Sequence, residues 1–451
     1  MIGWCYFMLF SNKKIFILGM ARSGFSAAKL LAKYNNNILI TDIKEQNDSD
    51  INELKSLGIK FIKTDKPEDL LNNDFDFIIK NPGIHPNHPV CKKAELLNIP
   101  ITNEMEVAYN FLPDSVKIIG ITGSNGKTTT TTILYNILKK ANLRVHLGGN
   151  IGYPLCSILP SVNDNDILVL EISSHQLNDF INFKTDMSIL TNLSEVHIDH
   201  FGTYDNYKVQ KIKIFNHHTE KNLAIINKDN LDSINSTKDI KSTKIFFSSS
   251  NNADICIKNG FIVYKNENII NLSDIKLKGN HNYENIMSAI VIAKEFNVSN
   301  DIICEVLKEF GGVEHRLEFV KNINGRDFYN DSKATNVKST QIALSAFSSP
   351  TILILGGLDR GHSFEGLINY LKNVKLIVCY GQTKERIKEF ANKLNIECNV
   401  VNNLTDATVS AYNNSEKGDV ILLSPACASW DQYKCFEDRG NEFKNIVNKL
   451  A

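Results

Sequence analysis

Lys117-Ile118-Ile119-Gly120-Ile121-Thr122-Gly123-Ser124-Asn125-Gly126-Lys127-Thr128 is the stretch whose reading settles the fold class. Its apolar run, Ile118, Ile119 and Ile121, reads as a buried strand. A glycine-bearing loop follows, then a helix carrying Ile133, Leu134, Ile137 and Leu138 on one face. Five successive threonines, Thr128 to Thr132, are poor helix formers at that junction. A local preference overridden there marks a place where the chain does chemistry. Gly123 and Gly126 let backbone N–H groups turn inward, the helix N-terminus adds partial positive charge, and Lys127 adds a full one. The Thr128 hydroxyl stands where a phosphate-bound Mg²⁺ takes a ligand. The common P-loop has a glycine six residues before its lysine; here that position is Ile121, leaving the tighter Gly-x-x-Gly-Lys-Thr. The preceding strand and following helix outweigh a chance turn, so the loop implies a bound nucleoside triphosphate.

Outward from the loop, other strand ends carry polar residues. Asp166 to Glu171 is an apolar strand ending in a carboxylate, suited to holding Mg²⁺ or its water beside a phosphate loop. A helix cap for the segment at Ser173 and Ser174 is the second reading of Glu171. Gly148 to Gly152 reads as a glycine-rich turn. His197-Ile198-Asp199-His200 invites a metallohydrolase reading, but Glu195 stands at the upstream partner position and too few close ligands accompany it. Lys228 to Lys278 reads as peripheral structure with one hairpin, Ile255–Lys258 and Phe261–Tyr264 about Asn259-Gly260. Gly279 to Asn285 opens a long amphipathic helix, and Asn282 and Asn285 suit either an adenine edge or a helix cap.

Upstream, a strand at Ile15–Leu18 leads into Gly19-Met20-Ala21-Arg22-Ser23-Gly24 and a helix, and a second strand ends at Asp42. This is nearly a dinucleotide fingerprint, with Ala21 in place of the second glycine. A strand ending at Ile79 runs into Asn81-Pro82-Gly83-Ile84, either a ligand-bearing strand end or a plain surface turn. Beyond a Gly311-Gly312 hinge, strand–turn–helix units repeat, with strands at 326–330, 352–355, 376–380 and 420–423. Glycine-rich and polar residues follow those strands, as on the rim of a ligand-binding α/β domain.

The 451 residues allow two to four domains, and 50 basic residues cancel 50 acidic ones, so no global field points to nucleic acid or membrane. Nine scattered cysteines without a Cys-x-x-Cys pair argue against disulfides and structural zinc and for a reducing cytoplasm. The apolar Met1–Phe10 stretch is too short for a membrane span and lacks signal-peptide features. It reads as an N-terminal flap, or as an upstream start with Met8 the working one.

Taken in order, Gly123-Ser-Asn-Gly-Lys-Thr-Thr, Glu171-Ile-Ser-Ser-His-Gln-Leu, His197, Lys211, Gly279-Asn-His-Asn, His315-Arg316 and Asp331-Ser-Lys-Ala-Thr-Asn strongly resemble the Mur ligases, which build the peptide stem of bacterial peptidoglycan. Ser424 to Phe443 is similar to members that add D-glutamate. The resemblance implies an ATP-dependent amide ligase acting on UDP-N-acetylmuramoyl-L-alanine, D-glutamate and ATP, as a cytoplasmic monomer. It also implies three α/β domains: a Rossmann-like UDP-sugar domain (1–106), a P-loop-type ATP domain with a mainly parallel sheet (107–312) and a Rossmann-like amino-acid domain (313–451).

By the same resemblance, Lys127, His197, Lys211 and Glu171 are catalytic. Thr128, Glu171, His197 and Lys211, the last carbamylated, serve two Mg²⁺ ions. ATP falls to Gly123 through Thr129, with Asn285, His315, Arg316, Asp331 and Lys333. The UDP-sugar side takes Ala21, Arg22, Ser23, Asp42, Asn81, Pro82, Gly83, Asn150, Ser173 and Gln176. The amino acid takes Lys333, Thr335, Arg360, Ser429 and Phe436. Asn81, Val196, His200 and Trp430 depart from the residues usual at their positions. The rival readings are a neighbouring Mur or folylpolyglutamate-synthase-like ligase, a nicotinamide oxidoreductase using Gly19–Gly24, and a non-catalytic nucleotide sensor.

Overall fold

The computed structural model describes residues 9–450. Met1–Met8, most of the stretch read as a flap or upstream start, lie outside the described residues. Phe10, from the same stretch, is buried with its ring 4.9 Å from that of Phe77. The chain forms two compact units that meet at the Phe310–Gly311 bond.

The first unit holds two sheets. β1 (Lys14–Leu18), β2 (Asn37–Asp42), β3 (Lys60–Lys63), β4 (Phe77–Lys80) and β5 (Ile101–Thr102) pair in parallel in the order β3-β2-β1-β4-β5. Alternate residues of β1 feed opposite faces: Ile15 and Ile17 join one core, Phe16 and Leu18 the other. The strand order reverses between β1 and β4, opening a crevice at their carboxyl ends.

The second sheet comprises β6 (Lys117–Thr122), β7 (Val145–Gly149), β8 (Ile167–Glu171), β9 (Met187–Leu190), β10 (Leu223–Asn227), β11 (Thr243–Ser248), β12 (Ile255–Lys258), β13 (Phe261–Tyr264) and β14 (Glu267–Asn271). Its order, β14-β13-β12-β11-β10-β9-β6-β8-β7, seats the phosphate-loop strand β6 between β8 and β9. Pairing is parallel from β7 to β12, and antiparallel through β12, β13 and β14. The hairpin expected at Asn259-Gly260 is present, and it prolongs the main sheet rather than standing apart from it. The helix Lys127–Lys140 buries Ile133, Leu134, Ile137 and Leu138 as its periodicity requires. Within the threonine run, Thr131 and Thr132 hydroxyls donate to the Lys127 and Thr128 carbonyls, both at 2.8 Å, so their polar atoms are satisfied on the helix itself.

The second unit carries β15 (Glu318–Ile323), β16 (Arg326–Asn330), β17 (Thr351–Gly356), β18 (Val374–Tyr380), β19 (Glu397–Val400) and β20 (Val420–Leu423) in the order β15-β16-β20-β17-β18-β19. All pairs are parallel except β15 with β16. The class is α/β with mainly parallel sheets, as expected. Among the described residues no helix is long and apolar enough to cross a membrane.

Candidate active site

β6 ends at Thr122, and the segment after β9 closes the loop that follows. Ser124 N donates to Asn192 O (2.8 Å), Asn125 N to Asn192 Oδ1 (3.0 Å), and Thr191 Oγ1 to Asn125 O (2.6 Å). Gly123 and Gly126 have φ of 143° and 82°, and added Cβ atoms would lie 1.9 Å from Thr191 Oγ1 and 2.2 Å from Asn285 Oδ1. Side chains are thus excluded by both backbone conformation and space. Lys127 Nζ folds back to donate to the Gly123 and Ser124 carbonyls, at 2.8 and 2.9 Å, which sets the ammonium over the loop. Thr129 is half-buried in the first helical turn. The long helix starting at Asn280 has Gly279 as its N-cap, so neither asparagine caps it. Asn282 Nδ2 donates to Lys278 O, whereas Asn285 is buried against the loop and accepts from Thr130 Oγ1 at 3.3 Å.

β8 delivers Glu171 beside this loop. Thr128 Oγ1 donates to its Oε2 and Asn150 Nδ2 to its Oε1, each at 2.7 Å. Glu171 is not a helix cap: Ser173 and Gln176 form a reciprocal capping box on the helix Ser174–Asn178. Gly148 and Gly149 end β7 rather than forming a turn, and Asn150 follows directly. A buried hydroxyl and a buried carboxylate side by side are hard oxygen donors that fit Mg²⁺, which takes one or two carboxylates plus phosphate oxygens.

Lys211 lies at the end of the helix Tyr204–Ile212 and is 1 % exposed, its Nζ donating to Thr122 Oγ1 at 3.0 Å. Burial, reinforced by the Lys127 ammonium and opposed by Glu171, holds this amine well below the usual lysine range. His197 adopts a left-handed backbone, and its ring sits 5.1 Å from that of His175. Burial, with the rings of His200 and His197, brings His175 down to about 4. Tyr207 contacts Ser124 Oγ through its hydroxyl at 2.9 Å, and burial pushes its phenol up to about 12.

Two cavities open at the carboxyl edge of the first sheet. One, of about 250 Å³, is lined by Gly19, Asp42, Asn81 and their neighbours. Asp42 accepts from Met20 N at 2.8 Å and Lys44 N at 2.9 Å, so its carboxylate braces its own turn. The other, of about 320 Å³, has Arg22, Ser23, Asn81, Pro82 and Gly83 on the first-sheet side. Asn150, Ser173, His175 and Gln176 face them from the second. Ala21 precedes the helix Arg22–Ala32 as its extended N-cap and lines neither cavity. Arg22 crosses the rim to donate to Gly152 O at 3.0 Å. Sequence reasoning missed Glu104 in this wall: burial raises its carboxyl to about 7, against the hydrogen bond it accepts from Cys156 N.

The second unit gathers its own cluster. Asp331 follows β16 and accepts from Ser424 Oγ at 2.8 Å, while burial raises its carboxyl to about 7. Asn330 Nδ2 lies 3.0 Å from Nδ1 of His315. Arg316 is exposed beside it, and Thr335 donates its N–H to Lys333 O. Lys333 Nζ is 5.8 Å from the Phe436 ring centre, and the Arg360 guanidinium is 4.8 Å from that of Trp430. Directly before Trp430 in sequence, Ser429 Oγ is buried without a hydrogen-bond partner. Arg439, also missed, is fully buried and donates to Ser332 and the Cys427 carbonyl.

The family model described as "Mur ligase middle domain" matches residues 121–293, and "Mur ligase, glutamate ligase domain" matches 315–427. The chain belongs to the Mur ligase family. Among curated relatives, UDP-N-acetylmuramoylalanine–D-glutamate ligases of Bacillus cereus (strain G9842) and Bacillus anthracis (strain A0248) are each 43 % identical over 98 % of both chains. Solved structures share the Mur ligase fold at lower identity. The UDP-N-acetylmuramate–alanine ligase of Thermotoga maritima gives a TM-score of 0.57 at 18 % identity, covering 97 % of this chain and 100 % of that one. The MurF ligase of the same organism, in complex with ADP, gives 0.55 at 18 % identity, covering 98 % and 99 %.

Proposed function

We propose that this Mur ligase joins the amine of D-glutamate to the L-alanine carboxylate of UDP-N-acetylmuramoyl-L-alanine, spending ATP, in peptidoglycan precursor synthesis. The observation that carries the reading is 43 % identity along 98 % of the chain to ligases of that name. The alanine carboxylate attacks the γ-phosphorus of ATP, ADP leaves, and an acyl phosphate results. The D-glutamate amine then attacks the acyl carbon, and inorganic phosphate leaves with the proton lost from nitrogen.

The phosphate-loop amides and Lys127 hold the triphosphate and stabilise charge as it moves onto the β-phosphate. Thr128 and Glu171 are the residues that would hold Mg²⁺, with His197 and Lys211 serving directly or through water; the ion, when bound, neutralises charge across the β- and γ-phosphates. The buried amine of Lys211, which desolvation pushes toward its neutral form, suits reaction with CO₂ to a carbamate that adds an oxygen donor. The cavities above the first sheet take the UDP-sugar. Asn285, His315, Arg316 and Asp331 serve the nucleotide, and Lys333, Thr335, Arg360, Ser429 and Phe436 the amino acid. The division into 1–106, 107–312 and 313–451 assigns one substrate to each domain, in a cytoplasmic monomer.

Supplying UDP-N-acetylmuramoyl-L-alanine, Mg²⁺ and ATP with D-Glu, L-Ala, diaminopimelate or L-Glu in turn, and following phosphate release, tests the assignment. Only D-Glu should support turnover, and Lys127→Ala should abolish it. Release with another acceptor alone would overturn the reading.

A further inference from the structure

We propose that the buried ion pair Lys80–Asp179 is a positioning element that fixes the width of the 320 Å³ cavity and so sets affinity for the sugar nucleotide. The inference rests on the sugar-nucleotide assignment above. Lys80 is the last residue of β4, and Asp179 directly follows the helix Ser174–Asn178 beside the second sheet. Their side chains are 3 % and 5 % exposed, with Nζ 2.8 Å from Oδ2. Lysine and aspartate are almost never buried unless paired, and a buried pair is a poor source of net stability. Its presence points to a role other than net stability, and the surroundings supply one.

The Lys80 ammonium also donates to Ile84 O at 2.9 Å, which closes the turn through Asn81, Pro82 and Gly83. That turn forms one wall of the cavity. Asp179 is anchored just as closely to the opposite wall. Its N–H donates to Gln176 O and its Oδ1 accepts from Asn178 Nδ2 at 2.9 Å, while Thr102 Oγ1, on β5 beside β4, donates to its carbonyl at 3.1 Å from the first-sheet side. Ser173, His175 and Gln176, on the segment just before Asp179, line that wall. The pair therefore joins the roots of both walls. Asp179 Oδ2 makes no aligned hydrogen bond, so proximity of charge in a water-poor setting does the holding. At the rim the walls meet through exposed Arg22 and Gly152 O, a contact that water weakens. A fixed root with a yielding rim admits a ligand without losing the spacing of the residues that read it.

The test compares Lys80→Met, Lys80→Arg and the doubly neutral Lys80→Met/Asp179→Asn in the full chain. The double variant leaves no unpaired buried charge, so it guards against simple misfolding. Titration calorimetry with UDP-N-acetylmuramoyl-L-alanine alone, and separately with ADP, is run beside KM and kcat measurements. Expected is a tenfold or greater loss of sugar-nucleotide affinity in Lys80→Met and in the double variant, mirrored in KM for that substrate. ADP affinity should stay within twofold, kcat within about threefold, and Lys80→Arg should recover most of the loss. Sugar-nucleotide affinity within twofold of wild type in the double variant would overturn the inference, as would equal losses for ADP. Wild-type protein that does not bind this sugar nucleotide would instead overturn the functional assignment, and the inference with it.

Discussion

Replacing Gly126 by alanine probes the phosphate loop by a route whose size can be worked out. Gly126 sits at φ 82°, where an L-residue costs about 1–2 kcal/mol. Its new Cβ would also lie 2.2 Å from Asn285 Oδ1, and Asn285 is buried, so the amide cannot swing into water. Displacing it breaks the contact with Thr130 Oγ1 and strands a buried polar group, a further ~1–3 kcal/mol. Gly58→Ala is the control, because φ there is 75° and no atom lies within 4 Å of the added carbon. At ~2 °C per kcal/mol for a unit of this size, Gly126→Ala should melt about 4–10 °C below wild type and Gly58→Ala about 2–4 °C below. ADP titration should show at least tenfold weaker binding for Gly126→Ala and no change for Gly58→Ala. If the two variants melt together and bind ADP equally, Asn285 does not brace the loop and the reasoning fails.

Glu171→Gln keeps the shape beside Thr128 and removes the charge, so kcat at saturating Mg²⁺ should fall about 10²–10³-fold while the melting temperature barely moves. Burial depresses the Lys211 amine in the fold relative to the unfolded chain, so between the two values the unfolded chain binds more protons and stability rises with pH toward about 10.5. Lys211→Met should therefore flatten the rise of melting temperature with pH, and lose bicarbonate-stimulated turnover. Asp331 has the opposite sign: its raised value, about 7 against 3.8, favours the fold at low pH, and that contribution is lost as pH rises from about 4 through 7. At about 1.4 kcal/mol per unit, Asp331→Asn should remove several kcal/mol of pH dependence over that window, read from denaturant titrations at fixed pH.

The strands were legible because parallel strands buried on both faces are written as continuous aliphatic runs, such as Ile352–Leu355. The phosphate loop was legible from its glycine spacing, and the carboxylate of Glu171 from its place at a strand end. What the sequence hid was partnership across distance. Ser124 and Tyr207 are 83 residues apart, and nothing local in either says that their hydroxyls meet. Nothing local to Lys80 or Asp179 says that the two meet in the interior. Arg439 lies on a helix rich in charged residues, yet it fills the interior against Ser332. Periodicity reports which face is buried, not what a charged residue on that face will find there. What the spacing of Asp42 did not show is that its carboxylate, while lining the smaller cavity, also stiffens the turn at Met20.

The sheet orders have one more consequence. Each of the three sheets ends in its own set of loops, and the central strands beneath, such as β1, β8, β17 and β20, are built mainly from aliphatic residues. The loops of one sheet can then be revised while those of another stay untouched. A lineage of enzymes lengthening one peptide by successive residues needs that kind of modular inheritance, with a constant engine and a replaceable reader.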